Sequence, residues 1–370
     1  MHAIEIAVDR AVLPHLVAVG AQVTVQNGRV VAVATGAAKG ARRLAGTLLP
    51  GFVDLQVNGG GGRSVDEADA AALDAVARAV WSGGAVAFLP TLITAPWERL
   101  LQQVDAVARW IERAPADGAE PLGLHVEGPF LEVPGVHDPA CFVDPTPARI
   151  DALLAAARGR LRLVTLANSR AGAAAAVARL HAAGVAVALG HVADPRGFEE
   201  CVAAGAALVT HLFNAMGPLH HREPGIAGRC LDEPRLCCAL IADGAHVHPA
   251  MLRTAFAVLG SDRTMLCSDA TAAMGMPDGD YALAGRRVAA RGGVVRDPKG
   301  RLAGSALTMA AAARTFLANV PAAGVWTLGR IAAANPAERI AASDYGSIAP
   351  GRRAAFTLLG DDGSTIAVRF

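Results

Sequence analysis

The chain has 370 residues, 53% of them hydrophobic and 18% charged, with 34 Lys+Arg against 33 Asp+Glu and a formal net charge of +1. Such apolar content excludes a disordered chain, and the balanced charge excludes the basic footprint of a nucleic-acid binder. Any charged ligand must then be held by local groups and not by the field of the whole molecule. Two stretches without Asp, Glu, Lys or Arg, 79–97 and 201–221, raise the question of a membrane. Gly83-Gly84, Pro90 and Pro96 interrupt the first, and His211, Asn214, Pro218, His220 and His221 the second. A lipid-exposed span needs about 20 predominantly apolar residues in one helix, so no membrane association is expected. No basic segment followed by an apolar one marks a secretory signal. Six scattered cysteines without a C-x-x-C pair read as reduced thiols, and the expected location is the cytoplasm.

Residues 1–48 carry short β-branched runs, Val17–Val19, Val23–Val25 and Val30–Val33, separated by Gly20 and Asn27-Gly28. Asn-Gly between such runs predicts a hairpin. From residue 49 eight apolar runs follow: Phe52–Val57, Val86–Leu92, Leu122–Val126, Leu161–Leu166, Val185–Leu189, Ala207–Leu212, Cys237–Ile241 and Met265–Ser268. Helical periodicity lies between several of them, at Ala68–Trp81, Glu98–Arg113, Pro147–Ala157, Ala171–Ala183 and Gly197–Ala204. Runs apolar on both faces and joined by helices indicate parallel strands under a helical coat. Eight such units predict a (β/α)8 TIM barrel over 49–342, with a doubly wound sheet as the alternative. Residues 281–304 read as a β excursion, Ala306–Ala318 and Thr327–Ala334 as helices. The tail, 343–370, is expected to pair with 1–48 in a small β-sandwich domain built from both chain ends.

Polar residues fall where these strands end. His125 and Glu127 close the third, His191 the fifth, His211 and Asn214 the sixth, Asp243 and His246 the seventh, Ser268 and Asp269 the eighth. In a parallel barrel these ends converge on one mouth, where active sites sit. Glu127, His191 and His211 offer one oxygen and two imidazoles, a donor set suited to a divalent transition metal. Each His taken alone is equally a loop cap; three groups on neighbouring strand ends point to metal. Asp269 can take a proton from the attacking water and return it to a leaving group, or cap the following turn. His125 stays open between a supporting role and the core. Gly59–Gly62 lacks the Lys-Ser/Thr of a phosphate-binding loop, and Arg222 is either a solvated residue or a fork for an anionic group.

The segments PGFVDLQVNGGGG (50–62), HVEGPF (125–130), GH (190–191), THLFNAM (210–216), REPGIAG (222–228), DGAHV (243–247), SDA (268–270) and LAGSALTM (302–309) together resemble the N-acetylglucosamine-6-phosphate deacetylase family of the amidohydrolase superfamily. The resemblance spans nearly the whole chain. It implies metal-dependent hydrolysis of the N-acetyl group of an aminosugar phosphate, with Glu127, His191 and His211 as metal ligands and Asp269 as general base, then acid. It further implies His137 as the group that polarises the acetyl carbonyl. Asn214, Ala215 and His246 would contact the sugar phosphate, with Leu302, Ala303 and Gly304 as further substrate contacts. Arg222 would reach the phosphate in a neighbouring subunit, making the enzyme at least a homodimer.

The departures from that pattern sharpen the expectations. The wider superfamily carries His-x-His after the first strand, whereas Gln56-Val57-Asn58 stand here; neutral amides are poor zinc ligands, so one metal ion per chain is expected. Zn is favoured among Zn, Fe, Co and Mn. Val192 replaces a common Ser, Asn168 stands where Pro-Glu is usual, and the loop from Glu127 to His137 is slightly short. The alternatives are the same chemistry on N-acetylgalactosamine 6-phosphate, a different N-acyl amidohydrolase, or a catalytically dead barrel serving as a scaffold.

Overall fold

The computed structural model describes residues 3–36, 40–113 and 117–370; residues 1–2 and 37–39 of the N-terminal β segment lie outside the described residues. Eight parallel strands stand side by side in chain order: Phe52–Val57, Ala85–Ile93, Leu124–Glu127, Leu161–Leu166, Ala186–Leu189, Leu208–Val209, Cys237–Leu240 and Thr264–Leu266. The first two are buried along their whole length, as strands covered on both faces must be. This is the predicted barrel and not a doubly wound sheet. The sixth strand is much shorter than its apolar run, because the chain leaves the ladder at Thr210 and turns through positive φ at His211, Phe213 and Ala215.

Seven helices connect the strands in order: Ala70–Ser82, Trp97–Arg113, Pro147–Ala156, Ala173–Ala182, Phe198–Ala203, Gly225–Asp232 and Pro249–Arg263. Met309–Asn319 follows the eighth strand. Trp97–Arg113 buries Leu100, Val104, Val107 and Ile111, one stripe at helical spacing. Gly225–Asp232 and Pro249–Arg263 were not anticipated: the first begins and continues with Gly, and Gly260 at φ +63 interrupts the second. The helix expected at Thr327–Ala334 is a composite in which a π-helical turn, Arg330–Ala334, joins Val325–Gly329 to Asn335–Arg339. Among the described residues no helix is long and apolar enough to cross a membrane.

The barrel closes between its first and eighth strands through a seam of single bonds. Asn58 N and Gly59 N donate to Ala270 O at 2.7 and 3.1 Å, and Ser268 N donates to Asp54 Oδ1 at 3.2 Å. Ser268 Oγ donates to Gln56 O at 3.3 Å. The excursion is a four-stranded antiparallel sheet, Gly279–Leu283, Arg286–Arg291, Val294–Arg296 and Leu302–Ser305. Its last strand continues the seam: Ser305 N donates to Asp269 O at 2.8 Å and Thr271 N to Ser305 O at 2.9 Å.

Both chain ends build the small β unit, from Ile4–Val12, Val17–Gln26, Arg29–Thr35, Arg42–Pro50, Ala355–Leu359 and Thr365–Arg369. The expected sandwich is, in its hydrogen bonding, one continuous six-stranded sheet. A register shift between Val8 and Arg10 marks an irregularity in its first strand, and Ile6, Val23, Leu48 and Phe356 gather in its own core. Asn27 and Gly28, at φ +53 and +71, make the predicted hairpin turn.

Candidate active site

Backbone conformation aims the site. Glu127 is the last residue of its strand, whereas His191, His211 and Asp269 follow theirs in turns at φ +51, +28 and +49. Each such conformation costs a non-glycine residue about 1–3 kcal/mol, a cost that clusters at functional sites. Their side chains converge on a cavity at the C-terminal mouth, with His137, Asn214, Ala215, His246, Leu302 and Gly304 also in its walls.

Glu127 is the centre of the polar cluster. Its Oε1 receives a hydrogen bond from Gln56 Nε2 at 3.1 Å and stands 3.0 Å from His211 Nε2 and 3.2 Å from His191 Nε2. Its Oε2 lies 3.7 Å from His137 Nε2. Burial opposes ionisation of Glu127, yet the bonds from His191 and His211 outweigh it and hold the carboxyl well below its ordinary range. Each of Glu127, His137 and His191 offers a donor atom within 4.8 Å of the others.

The donor set fits a metal ion. His191 Nδ1 meets the Val133 carbonyl oxygen at 2.8 Å, and since that oxygen only accepts, Nδ1 carries the proton. With Nδ1 donating to that carbonyl, Nε2 is the ring nitrogen that faces the Glu127 carboxylate, placed to share an ion with it. A backbone carbonyl fixing the remote nitrogen is the usual support of a metal-binding imidazole. His211 Nδ1 is buried without a partner. One carboxylate and two or three imidazoles suit a divalent transition ion.

Asp269 stands on the seam, its Oδ1 accepting from Asn58 Nδ2 at 2.7 Å. Burial, reinforced by the charge of Glu127, raises its carboxyl to about 6. Gln56 and Asn58 thus both spend their amide N–H groups on carboxylates. His137 is buried, with Thr94 Oγ1 2.9 Å from its Nδ1; burial and the neighbouring His191 lower it to about 3, so the ring is neutral. His246 Nδ1 lies 2.6 Å from Asp243 Oδ2, which leaves Nε2 as its free nitrogen.

Three expectations are redrawn. Ala303 does not line the cavity: alternation along its strand turns Leu302 and Gly304 to one side and Ala303 into the apolar core of the excursion. Arg222 is exposed, its hydrogen bonds among the described residues are with His220 and His221, and it does not line the cavity. His125 belongs inside the barrel. It joins Thr91 and Thr165 at 3.3 and 2.8 Å, and Thr165 meets Thr210 at 2.6 Å, a polar layer one step below Glu127. Sequence reasoning missed Thr94 and the apolar wall of Ile93, Val136, Ile241 and Leu283; an isolated threonine or aliphatic residue carries no signal of its own. Asn168 does hold a loop, donating to Asp194 O and Arg196 O at 2.9 and 2.8 Å.

Comparison with known proteins agrees with this fold. Residues 47–368 match the Amidohydrolase family. The N-acetylgalactosamine-6-phosphate deacetylase of Escherichia coli O157:H7 is 37% identical over 84% of this chain and 83% of its own length. The N-acetylglucosamine-6-phosphate deacetylase of Vibrio furnissii is 35% identical over 85% and 79%. Among solved structures, a mutant N-acetyl-D-glucosamine-6-phosphate deacetylase from Mycobacterium smegmatis, in complex with N-acetyl-D-glucosamine-6-phosphate, superposes with a TM-score of 0.93 at 34% identity, covering 99% of this chain and 97% of that one. A barrel of eight parallel strands, a Glu-His-His cluster at its mouth and relatives of this similarity lead to one conclusion: the chain belongs to the amidohydrolase family, among the N-acetylhexosamine-6-phosphate deacetylases.

Proposed function

We propose that this chain hydrolyses the acetamide of N-acetyl-D-glucosamine 6-phosphate, releasing D-glucosamine 6-phosphate and acetate. The observation that carries the reading is the placement of Asp269, a buried carboxyl raised to about 6, in the same cavity as the Glu127–His191–His211 cluster. Glu127, His191 and His211 would hold a single divalent ion, Zn in the first instance. When bound, that ion supplies Lewis acidity, promoting ionisation of water and stabilising charge on the acetyl oxygen.

The protein's own groups do the rest. Asp269, ionised at neutral pH, accepts a proton from water as the water oxygen bonds to the acetyl carbon. It then gives that proton to the amide nitrogen as the C–N bond breaks, so the amine departs neutral and the acyl group leaves as acetic acid, whose proton returns to the ionised Asp269 and from there to solvent, leaving acetate. Asn58 orients Asp269 through Oδ1 and leaves Oδ2 for the proton. His137 is neutral, and donation from Thr94 Oγ1 to Nδ1 leaves Nε2–H to donate to the acetyl oxygen.

The phosphate is held away from the bond that breaks. His246, with Asp243 on its far nitrogen, and the turn carrying Asn214 and Ala215 form that end of the site. Residues 211, 213 and 215 all have positive φ; Leu212 N and Asn214 N bond to Ala239 O and His211 O, which leaves the N–H groups of Phe213 and Ala215 to meet an anion. Leu302 and Gly304 flank the sugar. Arg222 reaches the phosphate bound by a second copy of the chain, so the active form is at least a dimer. The six free cysteines, five of them buried, accord with a cytoplasmic enzyme.

The test is kcat/KM on N-acetylglucosamine 6-phosphate, its unphosphorylated parent and N-acetylgalactosamine 6-phosphate. The proposal expects preference in that order of naming for the first substrate over both others. The 37% identical N-acetylgalactosamine-6-phosphate deacetylase supports the epimer as the second reading, and an inverted preference between the two phosphates would establish it.

A further inference from the structure

Behind His137 lies a second cavity that shares Ile93, Val136 and His137 with the catalytic one. A third opens on the excursion sheet and shares Val136 and Leu283 with it. Val136 is a wall of all three. Ile93 ends the second barrel strand and Leu283 comes from the excursion; Val136 packs with both in an apolar cluster separate from the barrel core. Two of these residues adjoin the groups that hold the His137 ring. Val136 precedes it in the chain, and Ile93 precedes Thr94, whose hydroxyl stands 2.9 Å from Nδ1. An acetyl group whose oxygen is met by His137 therefore has its methyl within reach of this apolar partition.

We propose that Ile93 and Val136 set the length of the acyl chain this enzyme removes, and that the second cavity is the space a longer, unbranched acyl chain enters once the partition is cut back. The inference rests on the deacetylase reading above. An apolar wall discriminates one extra methylene by roughly 10- to 200-fold. The partition is thin in this sense: the same two residues line the catalytic cavity and the second cavity. Truncation at Val136 leaves its carbonyl, which accepts from Arg286 Nη1 at 3.2 Å, in place.

The experiment compares kcat/KM of the metal-loaded protein on the N-acetyl, N-propionyl and N-butyryl derivatives of glucosamine 6-phosphate. Wild type is expected to disfavour propionyl by roughly tenfold or more, and Val136→Ala to raise the propionyl-to-acetyl ratio by about tenfold. Cys141→Phe fills the second cavity from a position outside the catalytic one, and in the Val136→Ala background it should cancel the gain. Val288→Ala, in the same apolar cluster but not in the catalytic wall, should leave the ratio alone. Ile93→Val provides a second, milder opening should Val136→Ala fail to fold. An unchanged ratio in the folded partition variants, or an equal rise in Val288→Ala, overturns the inference while the deacetylase reading stands. A wild type inert on all three derivatives removes that reading, and this inference with it.

Discussion

Gly304 offers a severe test of how the seam positions Asp269. Its φ is +58, and a Cβ there would lie 2.8 Å from Asp269 O, 2.7 Å from Thr271 Cγ2 and 3.7 Å from Asp269 Oδ2. Gly304→Ala therefore combines left-handed strain of about 1–2 kcal/mol with overpacking of about 1–3 kcal/mol, together about 2–5 kcal/mol. The contact is with backbone, so relief requires the Leu302–Ser305 strand and the turn at Asp269 to separate, loosening the bond from Ser305 N to Asp269 O. A catalytic group displaced by about 1 Å costs about 100-fold in rate. The expected result is a kcat lowered about tenfold to 100-fold with metal content unchanged, since Glu127, His191 and His211 lie on other strands. Gly285→Ala is the control: its φ of +72 is equally left-handed, but a Cβ there meets nothing within 4 Å. It should lose about 1 kcal/mol of stability and keep its kcat. The reasoning is refuted if Gly304→Ala turns over within twofold of wild type, or if both variants lose activity alike.

Asp269→Asn should retain metal and lose turnover by about 100- to 10,000-fold, the range of general acid–base contributions. Because the base must be ionised and its carboxyl sits at about 6, kcat/KM of the wild type should fall as pH drops through that value; a profile flat to pH 5 contradicts the role. Arg222→Ala should lower kcat/KM for the phosphorylated substrate by at least about tenfold, with activity on the unphosphorylated sugar unaltered, as expected when a charge-assisted bond to phosphate is removed. Mixing Arg222→Ala with an Asp269→Asn chain should restore sites that neither homodimer possesses. Burial raises Asp54 to about 6. Its folded value exceeds the unfolded one, so its contribution is full below about pH 4 and is lost as pH rises through 6. Asp54→Asn keeps an acceptor for Gln56 N and Ser268 N and should gain melting temperature relative to wild type between pH 4 and 7.

Much of this architecture is legible in the sequence because the barrel imposes a two-sided burial that polar residues escape only at strand ends. Phe52–Val57 and Leu161–Leu166 are strands over the full length of their apolar runs, and Glu127, His191 and His211 meet because the third, fifth and sixth strands all end at one mouth. What stayed hidden depends on tertiary contact. Thr94 becomes functional only through the ring it touches, and Gln56 and Asn58, visible as departures from His-x-His, show their use only when each is found donating to a carboxylate. Asn168 looked like a loss, yet with Glu132, which accepts from Ser169 Oγ and Asp194 N, it ties down the loop after His191. Ala303 was misplaced because a motif groups neighbours that a strand turns to opposite faces.

The account stands on a single divalent ion held by Glu127, His191 and His211 in an aminosugar-phosphate deacetylase. The direct measurement is acetate release from N-acetylglucosamine 6-phosphate by chelator-stripped protein during titration with Zn2+, alongside metal analysis of the purified chain. Activity should be absent in the stripped protein and rise linearly to a plateau at one ion per chain. Full turnover without metal, or a plateau only at two ions, would contradict it.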